Sequence, residues 1–279
     1  MSHFYERILG KDLDLSEELE KLKTIFEQEE EYLYDINGFE SLYSYVNKVY
    51  FRQLPLSYNY IDISEFFSDA LVDAKDEKEM YIFYCEAIYT IINQLINSKR
   101  RPNVKDVEWI NRQISSIERI VKTNANKLNL VAKEIETDIG TVTTFIPNDA
   151  MLEKTLEEIE DSNIQNYLIE YASSRTNGNI KRKEELLKLL ATTVEGITKQ
   201  DKFKNKFKQL CSNADLLYNK LDLRHNIKVK DRRYYDETLS DREKWLDLTF
   251  RETLLVLNLD KHYDDLEAVE KLKQKIETV

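Results

Sequence analysis

Asp76-Glu77-Lys78-Glu79-Met80-Tyr81-Ile82-Phe83-Tyr84-Cys85-Glu86-Ala87-Ile88-Tyr89-Thr90-Ile91-Ile92-Asn93-Gln94-Leu95 is the stretch whose reading decides the fold. No Gly or Pro interrupts it. Met80, Phe83, Tyr84, Ala87, Ile88, Ile91, Ile92 and Leu95 follow the period of one helix face. The pattern predicts a helix opened by Asp76 and apolar enough to form the centre of an N-terminal bundle.

Toward the N-terminus, Asp14 and Glu17 have capping-box spacing, and Leu15, Leu19, Leu22, Phe26 and Leu33 form one stripe, so a helix closed by Gly38 is expected. Phe39, Leu42, Tyr43, Val46 and Val49 mark a shorter segment. Pro55 then sits in a Tyr-rich connection to a helix that begins at Asp62 and carries Phe66, Phe67, Ala70 and Leu71. Toward the C-terminus, Lys99-Arg100-Arg101-Pro102 stops the central helix, because Pro disfavours helical geometry in the residue before it. Asn103 and Asp106 offer caps for a helix that buries Trp109, Ile110, Ile114, Ile117 and Val121. After Leu128 the period changes. Asp138-Ile139-Gly140 is a turn signal, and Val142 to Ile146 is β-branched and aromatic before Pro147, which predicts one small β-hairpin.

Helical patterning resumes at Asn148 and Asp149, with Met151, Leu152, Leu156 and Ile159, then Ile164, Tyr167, Leu168 and Tyr171. A sharp turn at Asn177-Gly178-Asn179 precedes a helix with Leu186, Leu187, Leu189, Leu190 and Val194, closed by Gly196. Phe203, Phe207, Leu210, Cys211, Ala214, Leu217 and Leu221 mark the next. Ser240 and Glu243 have capping-box spacing ahead of Trp245, Leu248, Thr249, Phe250, Leu254, Leu255 and Leu257, and a last helix aligns Leu266, Val269, Leu272 and Ile276. The fold expected is mainly all-α: a helical bundle at 1–131, a β-hairpin connector at 132–148 and a second helical bundle at 149–279. Only 5 Gly and 3 Pro in 279 residues leave few sites for the tight turns of sheet proteins, in line with this reading.

Several chemistries have no sequence signature here. Three separated histidines and two isolated cysteines supply no zinc spacing, and there is neither a phosphate-cradling Gly-rich loop nor a Gly-x-Ser-x-Gly elbow. No metal or cofactor is expected. Cys85 and Cys211 lie on apolar helix faces, where they are expected to stay reduced. No apolar run approaches the roughly 18 residues of a membrane span, and the first residues lack the plan of a signal peptide, so a cytoplasmic protein without a membrane partner is expected.

Charge is distributed unevenly along the chain. Residues 1–40 hold 12 acidic and 4 basic side chains, whereas 178–233 hold 15 basic and 7 acidic ones. The positive excess culminates in Leu223-Arg224-His225-Asn226-Ile227-Lys228-Val229-Lys230-Asp231-Arg232-Arg233-Tyr234-Tyr235. Arg224, Lys228, Lys230, Arg232 and Arg233 beside Tyr234 make the combination that holds phosphates and stacks bases. His225 titrates near neutral pH, Arg224 suits a developing phosphorane charge and Asn226 suits orientation, so the three are also candidates for ribonuclease chemistry. A third reading makes the run structural, with Arg224 paired to an acid on a packed helix.

Tyr167-Leu168-Ile169-Glu170-Tyr171-Ala172, the turn at Asn177-Gly178-Asn179, the basic start Lys181-Arg182-Lys183, the leucine-rich helix to Val194-Glu195 and Leu223-Arg224-His225-Asn226 together resemble the C-terminal HEPN-like domains of bacterial abortive-infection and phage-defence proteins, over about residues 150–260. The resemblance implies a helical bundle, often a homodimer. In many members it implies a metal-independent ribonuclease with a His four to six residues after an Arg. No Arg of this chain has a His at that distance. The implied role is therefore a non-enzymatic defence or regulatory module that binds RNA, a nucleotide or a partner protein. A ribonuclease using Arg224 and His225, and an oligomerisation scaffold, are the alternatives.

Overall fold

A computed structural model describes residues 13–27, 41–97, 104–137, 139–224 and 239–263, with 265, 266, 268, 269 and 273 beyond them. The chain is mainly all-α with one small β-hairpin between helix groups, and it divides into two compact units, 1–147 and 148–279.

In the first unit α1 (Leu15–Glu27) is opened by Asp14, whose Oδ1 accepts from the Glu17 amide at 2.9 Å. Leu22 and Phe26 are wholly buried and Leu15 and Leu19 partly so, as their spacing requires. The continuation toward Leu33 and Gly38 lies outside the described residues. The short α2 (Leu42–Tyr45) widens into a π turn at Val46–Tyr50, and 3-10 turns lead past Pro55. In α3 (Ile63–Leu71) Asp62 and Glu65 cap reciprocally: the Glu65 amide donates to Asp62 and the Ile61 amide to Glu65. Asp76 and Glu79 repeat that box at the head of α4 (Glu77–Asn97). This helix is buried along almost its whole length and is the centre of the unit. Around it pack α1, α3, α5 (Val104–Lys127) and the hairpin β1 (Leu130–Thr137) and β2 (Gly140–Pro147). The expected face of α5 is the one buried, with Trp109, Ile110, Ile114, Ile117 and Val121 all in the core.

The hairpin is not a free connector. A two-stranded ribbon alone is marginal in water, and here the open edge of β2 is paired by side chains of α4. Thr90 accepts from the Thr143 amide at 2.9 Å, Gln94 donates to the carbonyls of Ile139 and Thr141, and Glu86 accepts from the Phe145 amide at 2.9 Å and the Thr144 hydroxyl at 2.7 Å. Glu86, Thr90 and Gln94 lie one helical turn apart on one face, so a polar stripe in the most apolar helix acts as a third strand. The hairpin thus belongs to the first unit, and the boundary falls after Pro147 instead of at Val131.

At the turn Thr137 faces Gly140, which has φ +87°, and a Cβ there would stand 2.8 Å from Pro55 Cβ. Gly140→Ala combines backbone strain with a clash and is expected to cost about 2 kcal/mol or more, read as a lowered urea midpoint. A loss under half that size would contradict the close packing of the turn on Pro55.

The second unit comprises α6 (Ala150–Glu158), α7 (Ser162–Ala172), α8 (Ile180–Thr198), α9 (Asp201–Lys206), α10 (Lys208–Lys220) and α11 (Leu239–Lys261). Asp149, Asp161 and Asn179 cap α6, α7 and α8. Three expectations change. Gly196 does not close α8, which continues to the buried Ile197 and Thr198. A mid-helix Gly costs only about 1 kcal/mol, which this burial offsets. The helix expected from Phe203 to Leu221 breaks at Phe207, which joins α9 to α10 with φ −115° and ψ 45° and packs its ring on Phe203. In α11 the buried positions are Leu246, Thr249, Phe250, Thr253, Leu254, Val256 and Leu257, while Trp245 and Leu248 are exposed, as is Leu189 on α8. These helices are apolar on more than one side, so period alone could not choose the inner face.

Candidate functional site

Of the residues singled out by charge and resemblance, Arg224 is described, and His225, Asn226, Lys228, Lys230, Arg232, Arg233 and Tyr234 lie outside the described residues. The position of Arg224 follows from how α10 ends. Asp222 takes a left-handed φ of +58°, and the Leu223 amide reaches back to the Tyr218 carbonyl at 2.9 Å, a Schellman closure with Leu223 buried. The chain therefore doubles back along α10. Arg224 Nη1 donates to Asp215 Oδ1 at 2.7 Å, and the guanidinium lies 5.2 Å from the centroid of the Tyr218 ring. Its side chain is only 5% exposed. Tyr218 is itself anchored by Thr253 at 2.7 Å, and burial pushes its phenol up to about 12. Nε and Nη2 of Arg224 are covered and have no acceptor among the described residues.

The basic start of α8 is largely consumed inside the unit. Arg182 grips both oxygens of Glu170 at 2.6 and 2.8 Å and also meets Glu185. The Glu170 contact foremost raises the guanidinium's already high pKa. Lys183 is buried between Glu243 and Asp247, each at 2.8 Å, and faces the Tyr171 ring at 5.4 Å. Tyr171 donates to Asp247 at 3.0 Å and stacks on Phe250. Burial, followed by the Asp247 charge, raises its phenol. Glu243 pairs with Lys183 and accepts from the Gly178 amide at 2.8 Å, while the Ser240 side chain with which a capping box is expected lies outside the described residues. Arg242 ties Glu184 of α8 to the Leu221 carbonyl at the end of α10. Part of the positive excess in 178–233 thus answers carboxylates, some of which lie outside that stretch.

No family model, curated protein or solved structure matches the chain. Cys85 and Cys211 are buried free thiols, and burial raises the pKa of both. His262 is half-buried, with Nε2 2.8 Å from Glu158 Oε1. No grouping of His, Cys, Asp and Glu suited to a metal occurs among the described residues, and no helix among them is long and apolar enough to cross a membrane.

A second basic surface lies upstream of the run at 224–235. Lys199-Gln200-Asp201-Lys202-Phe203-Lys204-Asn205-Lys206-Phe207-Lys208 spans the end of α8, α9 and the start of α10. Lys199, Lys202, Lys204 and Lys208 are exposed, and Lys206 lies 5.3 Å from the Tyr263 ring. Phe203 is buried, whereas Phe207 and Tyr263 are half-buried and meet edge-on at 6.4 Å. Lys199 pairs with Glu195, and Asp201 is the acid within the run. The signal was present as lysines at nearly every second position. In the sequence it is masked by the apolar period through Phe203 and Phe207, which predicts one continuous helix.

Proposed function

We propose that the chain is a non-enzymatic cytoplasmic module of defence or regulatory type whose second unit holds RNA by its phosphate backbone. The exposed lysine run at 199–208, set beside the half-buried rings of Phe207 and Tyr263, carries this reading. Cations at this spacing replace counterions along a strand, while partly open rings offer faces on which unpaired bases stack. The basic aromatic run at 224–235 adds charge of the same sign in the same unit. The resemblance to HEPN-like domains agrees with an RNA partner. Arg224 is engaged by Asp215 and Tyr218 in the manner of a packing residue, which favours binding over a ribonuclease built on it.

Labelled single-stranded RNA is the test. Affinity is expected to fall with salt along a log–log slope of about −3, and changing Lys202, Lys204 and Lys208 together to Gln should flatten that slope by about two. Absence of binding at low salt, binding indifferent to salt, or an unaltered slope in the triple variant overturns the reading.

A further inference from the structure

We infer that the outer edge of β1 is a docking site for an extended segment of another protein, one that carries basic side chains at every second position and adds antiparallel as a third strand. The direction of the peptide groups fixes what this edge offers. On β2 the Thr143 and Phe145 amides and the Thr141 carbonyl bond side chains of α4, so they point away from β1. Residues opposite each other in an antiparallel pair either bond each other or both turn their peptide groups outward. Glu136, Glu134 and Ala132 stand opposite Thr141, Thr143 and Phe145, so their peptide groups point away from β2. Those of Ala132 and Glu134 bond nothing among the described residues, and both residues are exposed. The polar stripe of α4 closes the edge of β2, whereas the edge of β1 is left as a template for another strand.

Charge and shape name the partner. Ala132, Glu134 and Glu136 are exposed on one face of β1, and Val131, Lys133 and Ile135 are half-buried on the other. Against the first face lies a groove of about 200 Å³ lined by Tyr89 and Ile92 of α4, Glu118 and Lys122 of α5, and Ala132 and Glu134. Its aromatic and aliphatic wall suits the stem of a long side chain, and its two carboxylates suit a cation at the tip. Lys122 meets Glu118 at 3.6 Å with 69% of its own side chain exposed, so it holds that carboxylate weakly. Basic residues opposite Ala132, Glu134 and Glu136, alternating with apolar ones beside Val131 and Ile135, therefore complement both faces. A second copy of β1 does not. Its two fullest antiparallel registers set Lys133 against Lys133 or Glu134 against Glu134, with like charges directly opposed. The site lies in the first unit and does not rest on RNA binding by the lysine run.

The probe is a capped, fluorescently labelled octapeptide of alternating Val and Lys, titrated into the full chain and followed by anisotropy. Saturable binding that weakens with salt is expected, and an alternating Val and Glu peptide should not bind. With the Lys side chains over Glu134 and Glu136, an antiparallel peptide turns its Lys amides toward β1 and its Val amides away. N-methylation of two central Lys amides should therefore weaken binding on the order of tenfold or more, and N-methylation of two central Val amides should change it by less than about twofold. Simple attraction to an acidic surface cannot produce that contrast. Ala132→Pro removes an outward amide and leaves the ladder to β2 intact, so it should weaken binding several-fold while the unfolding midpoint of the first unit is kept. Glu134→Gln combined with Glu136→Gln should flatten the salt dependence. Should Ala132→Pro fail to fold, the methylated peptides decide the matter on the unaltered chain. No saturable binding, equal binding of the Val and Glu peptide, or equal effects of the two methylations overturns the proposal. A dimer of the peptide-free chain in sedimentation that Ala132→Pro dissolves also overturns it, because the edge then belongs to a second copy.

Discussion

Lys183→Met is expected to destabilise the second unit by about 2–4 kcal/mol. The ammonium is buried where α8 meets α11, with Glu243 and Asp247 both 2.8 Å away. A Met fills the same volume but leaves two carboxylates facing each other without a cation. Breaking a fully buried ion pair from one side costs about 3–5 kcal/mol. The figure is reduced here because the Glu243 side chain is 28% exposed and that of Asp247 45%, so water screens the stranded charges. Tyr171 would keep its bond to Asp247, yet lose the cation on its ring. Since the two units need not unfold together, the measurement should follow each separately. Trp245 reports on the second unit in a Trp109→Phe background. Adding Glu243→Gln and Asp247→Asn to Lys183→Met should recover part of the loss, because the repulsion goes with the charges. A loss below 1 kcal/mol, or no recovery, would show that the triad is not what joins these helices.

Glu86→Leu should cost the first unit about 2–5 kcal/mol, whereas Glu86→Gln should cost markedly less. Glu86 is 1% exposed, and Oε1 accepts from both the Thr144 hydroxyl and the Phe145 amide. Leucine satisfies the apolar surroundings and leaves two buried donors bare, at about 1–3 kcal/mol each. Glutamine keeps a carbonyl oxygen for both. The difference between the two variants thus measures the hydrogen bonds that dock β2 on α4, apart from the volume of the side chain. Trp109 fluorescence in a Trp245→Phe background follows this unit. Equal losses in the two variants would mean that the hairpin is held by apolar packing around Phe145 and not by the polar stripe.

The central helix, the helix starts at Asp14, Asp62, Asp76 and Asp149, the buried face of α5 and the hairpin were legible in the sequence, because each rests on interactions within a few residues. Capping needs a side-chain oxygen three positions from an amide, and a buried face needs only the right period. The polar stripe of α4 was visible as Glu86, Thr90 and Gln94 in an otherwise apolar helix, but its purpose was not. Its partners on β2 are about fifty residues further on. The candidate site was legible as positive charge, but not which of its cations were already paired.

The sequence by itself determined a mainly helical chain with one hairpin, since few glycines and prolines, the helical period and local caps act over one or two turns. Only the tertiary structure decided that Lys183 and Arg224 are buried and partnered, that Glu243 reaches Lys183 and the Gly178 amide, and that lysines 199, 202, 204 and 208 stand at the surface. The physical reason is that burial of a charge depends on which distant carboxylate comes within about 4 Å, and no local pattern records that distance.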